Sequence, residues 1–483
     1  MSRNTVADIV VDGLRRAGTP RFFCAADEAS SRLCEAARAA GMPVTLASGD
    51  AAACVMASVS GDLVDAPGAA LVGSPESTTD AFAFVARAQV DRAPLIVLTQ
   101  RHPSAVPACK ASLGVTVETA AHWIAHASRL AMTEPRGPVH LDIPADVVGR
   151  PAIPLATSCR PDPLPYPDAR ALDAAAGMLL HASRPLLLAG LHCRRAAAAQ
   201  WLRALAEALP APLMTTARGK GAVPDPHPLT LGVLGDSGVD ERLLGRADLV
   251  VAIGVDTHEP VPAPYWSTAP VLGFGPPQAL EDRTLAAQVL GDIGAIMEEL
   301  APRLRDARRA DWDVAGVDRL RREGLARAAG AGLSARVVRV AREATPAGTI
   351  ATVEAGSLGA FVAASWQAIA PGEFLTTTRS TSAGFALPAA LAASLVHPDR
   401  RVVCFTDAAA LATTTGELEA AIRLDALIAV VVLGDAESSG PDPVGLAQSF
   451  GATADRADDE GQFAEAMGRT LRTGGPALIA VTP

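Results

Sequence analysis

The chain has 483 residues, 49% of them hydrophobic and 19% charged, which is apolar mass for about three domains at roughly 150 residues each. Its 42 Lys and Arg against 52 Asp and Glu give a net charge of −10, and no basic cluster is interleaved with aromatics, so neither nucleic acid nor an anionic membrane is an expected partner. No apolar run approaches the ~18 residues of a membrane span, and the amphipathic start from Met1 to Gly18 carries Asp8, Asp12, Arg15 and Arg16 where a signal peptide would be apolar. Seven scattered cysteines with no C-x-x-C pair fit neither a disulfide framework nor a zinc site, and the cytoplasm is the expected compartment.

In chain order, short β-branched runs alternate with Ala/Leu-rich helical stretches. Arg21 to Cys24, Gly68 to Val72 and Leu95 to Thr99 read as strands of a first domain, residues 1–150. Six prolines between Gly149 and Asp168 forbid helix interior and central strand there, and mark an extended connector. Leu186 to Ala189 and Leu249 to Ile253 are strands of a central domain, 169–302. An Arg- and Asp-rich stretch from Arg303 to Gly332 reads as a solvated helical crossover. Thr349 to Val353, Arg401 to Phe405 and Ile428 to Leu433 are strands of a third domain, 333–483. Near-continuous apolar strands alternating with helices predict three consecutive doubly wound parallel-sheet domains of the α/β class. Ligands bind beyond the C-terminal strand ends of such sheets, which directs attention to the residues after Val72, Phe405 and Leu433.

Three motif groups carry a resemblance: Ser183 to Gly190 (SRPLLLAG), Pro212 to Pro228 (PLMTTARGKGAVPDPHP) and Ala247 to Gly254 (ADLVVAIG) in the centre; Gly137 to Pro144 (GPVHLDIP) before them; and Gly384 to Ala390 (GFALPAA) after them. Together they resemble the thiamine diphosphate enzymes of the acetolactate synthase, benzoylformate decarboxylase and pyruvate decarboxylase group, in the right order over nearly the whole chain. The resemblance implies pyrimidine-binding, central and diphosphate-binding domains. It also implies thiamine diphosphate with Mg²⁺, a small 2-oxo acid as substrate for decarboxylation or carboligation, and a homodimer or homotetramer with its site at a subunit interface. Some relatives carry FAD on the central domain. The sequence does not decide that point, and no G-x-G-x-x-G follows a strand there.

Family chemistry needs a carboxylic acid that protonates the cofactor's pyrimidine ring, so that its imine removes the thiazolium proton. Aligned through Ala51 to Ala57, that acid is Asp50, one methylene shorter than the family's glutamate; with Ser48 before it, Asp50 also reads as the N-cap of a helix starting at Ala51. For the metal, the resemblance implies Asp407 in the turn after Arg401 to Phe405, Asp435 twenty-eight positions on, and Glu437 through its backbone carbonyl, hard oxygen ligands that suit Mg²⁺. Asp407 reads equally as the cap of a following helix through Thr413 to Leu424, and Asp435 as part of an ordinary turn. Ser357, Ala383, Ala408 and Ala409 fall at cofactor-contact positions.

Several of these positions depart from the family pattern. Thr406 and Ala408 replace glycines, Pro75-Glu76-Ser77 stands at a G-P-G loop, and Ala383 replaces a large apolar wedge. Glu437 to Val444 is a short link where relatives have a longer closing segment. The departures leave a second reading open, a cofactor-free member of the fold acting as a partner subunit or with altered chemistry. His102, His122 and His126 remain without an assigned role.

Overall fold

A computed structural model describes residues 4–28, 30–73, 78–100, 106, 108–155, 157–235, 239–305, 310–330, 332–378, 384–434 and 441–482. The chain forms two compact units, one of residues 1–163, 379–455 and 472–480, the other of 164–378, 456–471 and 481–483. Three six-stranded sheets run through it. The first holds β1 (Phe22–Ala25), β2 (Val44–Ala47), β3 (Gly68–Val72), β4 (Leu95–Thr99), β5 (Ser112–Gly114) and β6 (Pro138–Asp142) in the order β2-β1-β3-β4-β6-β5. All of its pairings are parallel.

The second sheet holds β7 (Pro185–Ala189), β8 (Leu213–Thr215), β9 (Thr230–Val233), β10 (Leu249–Ile253), β11 (Val271–Gly275) and β12 (Ala287–Leu290), ordered β12-β11-β10-β7-β8-β9 and again wholly parallel. The third contains β13 (Ile350–Val353), β14 (Phe374–Leu375), β15 (Val402–Thr406), β16 (Ile428–Leu433), β17 (Thr453–Ala457) and β18 (Ala477–Val481). Here β13 pairs with β14, and β15 with β16, in parallel. The expected α/β class with doubly wound parallel sheets is what the chain adopts. Strands β3, β4, β10 and β16 are buried at every residue, as strands covered by helices on both faces must be.

In the first unit, one helix decides where the candidate site lies. Asp50–Val64 is apolar almost all round, with Ala52, Ala53, Cys54, Val55, Met56, Ala57 and Gly61 buried, so it is a core helix and not a surface one. Small residues let it lie close to the sheet: a Cβ on Gly68 would overlap the Ala57 carbonyl, and one on Gly61 would overlap the Gly68 amide. Its other side packs on Ala386–Val396, a helix of equally small apolar residues. Gly68→Ala should therefore force helix and strand apart, costing about 1–3 kcal/mol as overpacking does. A lowered urea midpoint at unchanged slope is the expected signature, and an unchanged midpoint would contradict this packing.

Candidate active site

In the first sheet the strand order reverses between β1 and β3, which opens a crevice beyond their C-terminal ends. Asp50 points there. It is the first residue of its helix, with Gly49 as N-cap, and is 3% exposed. This corrects the expectation that Asp50 caps a helix starting at Ala51: Gly49, which has no side chain to spend on capping, takes that place and leaves the carboxylate directed elsewhere. Asp50 Oδ2 accepts a hydrogen bond from the Gly73 amide at 3.3 Å, just past β3. The positive end of the helix and this N–H both complement its negative charge.

A second acid borders the same spot. Glu28 closes the short helical turn Ala26–Glu28 that follows β1, and its carboxylate lies on Gly73 so closely that a Cβ there would overlap it. The reversal point is thus lined by Asp50, Glu28 and the backbone of Gly73, all held by strand ends.

Asp407 follows β15 and is the N-cap of Ala408–Thr413, its Oδ1 accepting from the Ala410 amide at 2.8 Å. The expected helix from Thr413 to Leu424 is instead two, Ala408–Thr413 and Thr415–Arg423, because the chain turns at Thr414 (φ −120, ψ 24). Asp407 and Ala408 are half-buried and Ala409 is exposed. In the second unit Ser357 is the exposed first residue of Ser357–Ser365, preceded by Gly356 at φ +99, a backbone conformation that glycine adopts without strain. Ala383, Asp435 and Glu437 lie outside the described residues, as do Pro75-Glu76-Ser77 and His102. Among the described residues no three His, Cys, Asp or Glu side chains form a metal cluster. His122 and His126 share a helix face, their rings stacked at 6.1 Å, and His126 Nδ1 lies 3.1 Å from Arg129 Nη2.

A buried acid on another helix meets the turn just before Asp50. Glu417, on Thr415–Arg423, is 1% exposed. It accepts from the Ser48 amide at 3.1 Å, and the Ser48 hydroxyl lies 2.6 and 2.7 Å from its two oxygens. Burial pushes its carboxyl above the usual range, and the Ser48 hydrogen bonds oppose that push. The folded protein therefore holds this proton more tightly than the unfolded chain does. Stability from neutral Glu417 is complete below the unfolded carboxyl's pKa and is lost as pH rises toward the folded one. E417Q should flatten that slope, gaining stability relative to wild type as pH rises through the window, read as melting temperature against pH. Parallel curves for the two proteins would contradict the assignment.

In the second unit the strand order reverses between β7 and β10, and Thr216 and Glu259 line a cavity of about 150 Å³ there. Glu259, 2% exposed, accepts from the Leu191 amide at 3.0 Å and the Asp256 amide at 2.9 Å, and from the Thr216 hydroxyl.

Comparison with known proteins bears on this arrangement directly. Residues 4–112 match the model of the thiamine pyrophosphate enzyme N-terminal TPP binding domain, 172–300 that of the central domain, and 354–438 that of the C-terminal TPP binding domain. The chain belongs to the thiamine pyrophosphate enzyme family. It is 26% identical to the catabolic acetolactate synthase of Raoultella terrigena, over 98% of this chain and 94% of that one. A Pseudomonas aeruginosa protein named as a probable 2-ketoarginine decarboxylase is 29% identical over 76% of this chain and 70% of its own. In fold, a Mycobacterium smegmatis structure provisionally assigned as a thiamin diphosphate-dependent enzyme superposes with a TM-score of 0.83 at 22% identity, covering 100% of this chain and 99% of that one. The N-terminal match includes Asp50, Glu28 and Gly73, and the C-terminal match includes Ser357, Asp407 and Glu417. No helix among the described residues is long and apolar enough to cross a membrane.

Proposed function

We propose that this thiamine pyrophosphate family member is an enzyme that binds thiamine diphosphate with Mg²⁺ and decarboxylates or carboligates a small 2-oxo acid, working in the cytoplasm as a homodimer or homotetramer. The observation that carries the reading is Asp50: a carboxylate 3% exposed, at a helix start and at the reversal point of the first sheet. The donor set fits the group. Asp50 would hold and move the proton at the cofactor's pyrimidine ring, with Gly73 fixing its orientation through Oδ2. Asp407 would supply a half-buried hard oxygen ligand at the end of β15. When bound, the cofactor supplies an acidic thiazolium carbon and an electron sink for decarboxylation.

Calorimetric titration of the protein with thiamine diphosphate, with and without Mg²⁺, tests the reading. Saturable binding that requires the metal is expected, followed by CO₂ release from a panel of small 2-oxo acids. Absence of binding under both conditions would reject the reading in favour of a cofactor-free member of the fold. That second reading draws on Asp407, one of whose oxygens is already used as a helix cap, and on the Ala408 side chain beside it.

A further inference from the structure

The Asp50–Val64 helix begins without a side-chain cap. Gly49, its N-cap, is extended (φ −166, ψ 174) and makes no side-chain cap bond, and a glycine joint is the loosest a chain offers. The turn from β2 into this helix is held from outside by Thr415–Arg423. Glu417 takes both the amide and the hydroxyl of Ser48. Arg423 Nη2 donates to the Leu46 carbonyl at 3.0 Å. Gly416 permits the approach: a Cβ there would stand 2.5 Å from the Ser48 Cβ. Three residues on one helix thus bracket the segment from Leu46 to Ser48, two positions before Asp50.

Burying a carboxylate is costly unless donors satisfy it, and Glu417 turns both of its oxygens to Ser48 of this turn. Resting on the proposed thiamine diphosphate chemistry, we infer that Glu417 is a positioning residue for Asp50: through Ser48 it sets the height and direction at which that carboxylate enters the crevice. Proton transfer needs heavy atoms within about 2.6–3.2 Å, and Asp50 has one methylene less than glutamate with which to absorb an error in placement.

The test compares E417A and E417Q with wild type in two measurements. Glutamine keeps an oxygen for the Ser48 amide and hydroxyl, whereas alanine keeps neither. In cofactor-free protein, amide hydrogen exchange should rise in E417A at residues 48–53 and at Gly73, while β4 and the second sheet stay protected. In E417Q it should match wild type. With thiamine diphosphate and Mg²⁺ present, exchange of the thiazolium C2 proton for deuterium should fall on the order of 10²-fold in E417A, the scale of a displacement near 1 Å, at little-changed cofactor affinity. E417Q should restore it to within a few-fold. S48A, which removes the hydroxyl alone, should show a weaker form of both effects and serves if E417A does not fold. Unchanged amide exchange at residues 48–53 in E417A, or a loss of C2 exchange in E417Q as deep as in E417A, would overturn the positioning role. If wild type itself shows no C2 exchange, the cofactor reading has failed, and the amide measurement alone decides whether Glu417 holds the turn.

Discussion

Replacing Asp50 with alanine is expected to lower thiazolium C2 exchange by roughly 10²–10⁴-fold, the range for loss of a general acid–base group. Asp50→Asn should fall nearly as far, because it keeps the shape and the Gly73 contact while removing the proton-carrying function. Asp50→Glu is expected to move the other way. In wild type the carboxylate is held 3.3 Å from the Gly73 amide by a side chain with a single methylene. The longer side chain projects further into the crevice at the reversal of the first sheet, which should raise exchange above wild type. Its cost is steric. The carboxylate of Glu28 already rests on Gly73, so D50E should lose some stability through crowding, about 1–3 kcal/mol at most. Faster exchange combined with a lower melting temperature would identify reach as the limiting factor. Equal exchange rates in wild type, D50A and D50E would leave Asp50 with no part in proton transfer.

Much of this fold was legible in the chain itself. Strands β3, β4, β10 and β16 run from the residues expected to those expected, because a run of Val, Ile, Leu and Ala bounded by turn residues has little alternative in a doubly wound sheet. Strands β2, β5 and β6 gave no such signal. β2 is buried only at alternate residues, β5 is three residues with two exposed, and β6 places a buried His140 among its apolar residues. Asp50 could be found because Ala51 to Ala57 aligns with the family's helix, which puts this carboxylate at the position of the family's acid. Glu28 and Glu417 could not. Their roles depend on contacts across the fold, Glu417 with Ser48 at a separation of 369 residues. The one hint was compositional, since Glu417 lies among Leu418, Ala420 and Ala421, all buried, where an acid is expected only if it has a partner.

Metal binding at Asp407 is expected to be separable from its capping role. Mg²⁺ that binds the native state and not the unfolded chain raises stability by mass action, about 2.7 kcal/mol at a hundred times the dissociation constant, with thiamine diphosphate adding to it. Asn caps helices as well as Asp does, whereas Ala loses the cap at a cost of typically about 1 kcal/mol. Asp407→Asn should therefore match wild type without ligands, since the Ala410 amide keeps an oxygen partner, yet lose most of the Mg²⁺-dependent shift, because a neutral amide oxygen is a weaker ligand for a hard cation than a carboxylate. Asp407→Ala should lose both. Thermal unfolding of the three proteins across a Mg²⁺ series, with and without thiamine diphosphate, reads the two roles apart. Identical Mg²⁺-dependent shifts in wild type and D407N would mean that the Asp407 charge serves the helix alone, and the metal would then have to be sought on other residues.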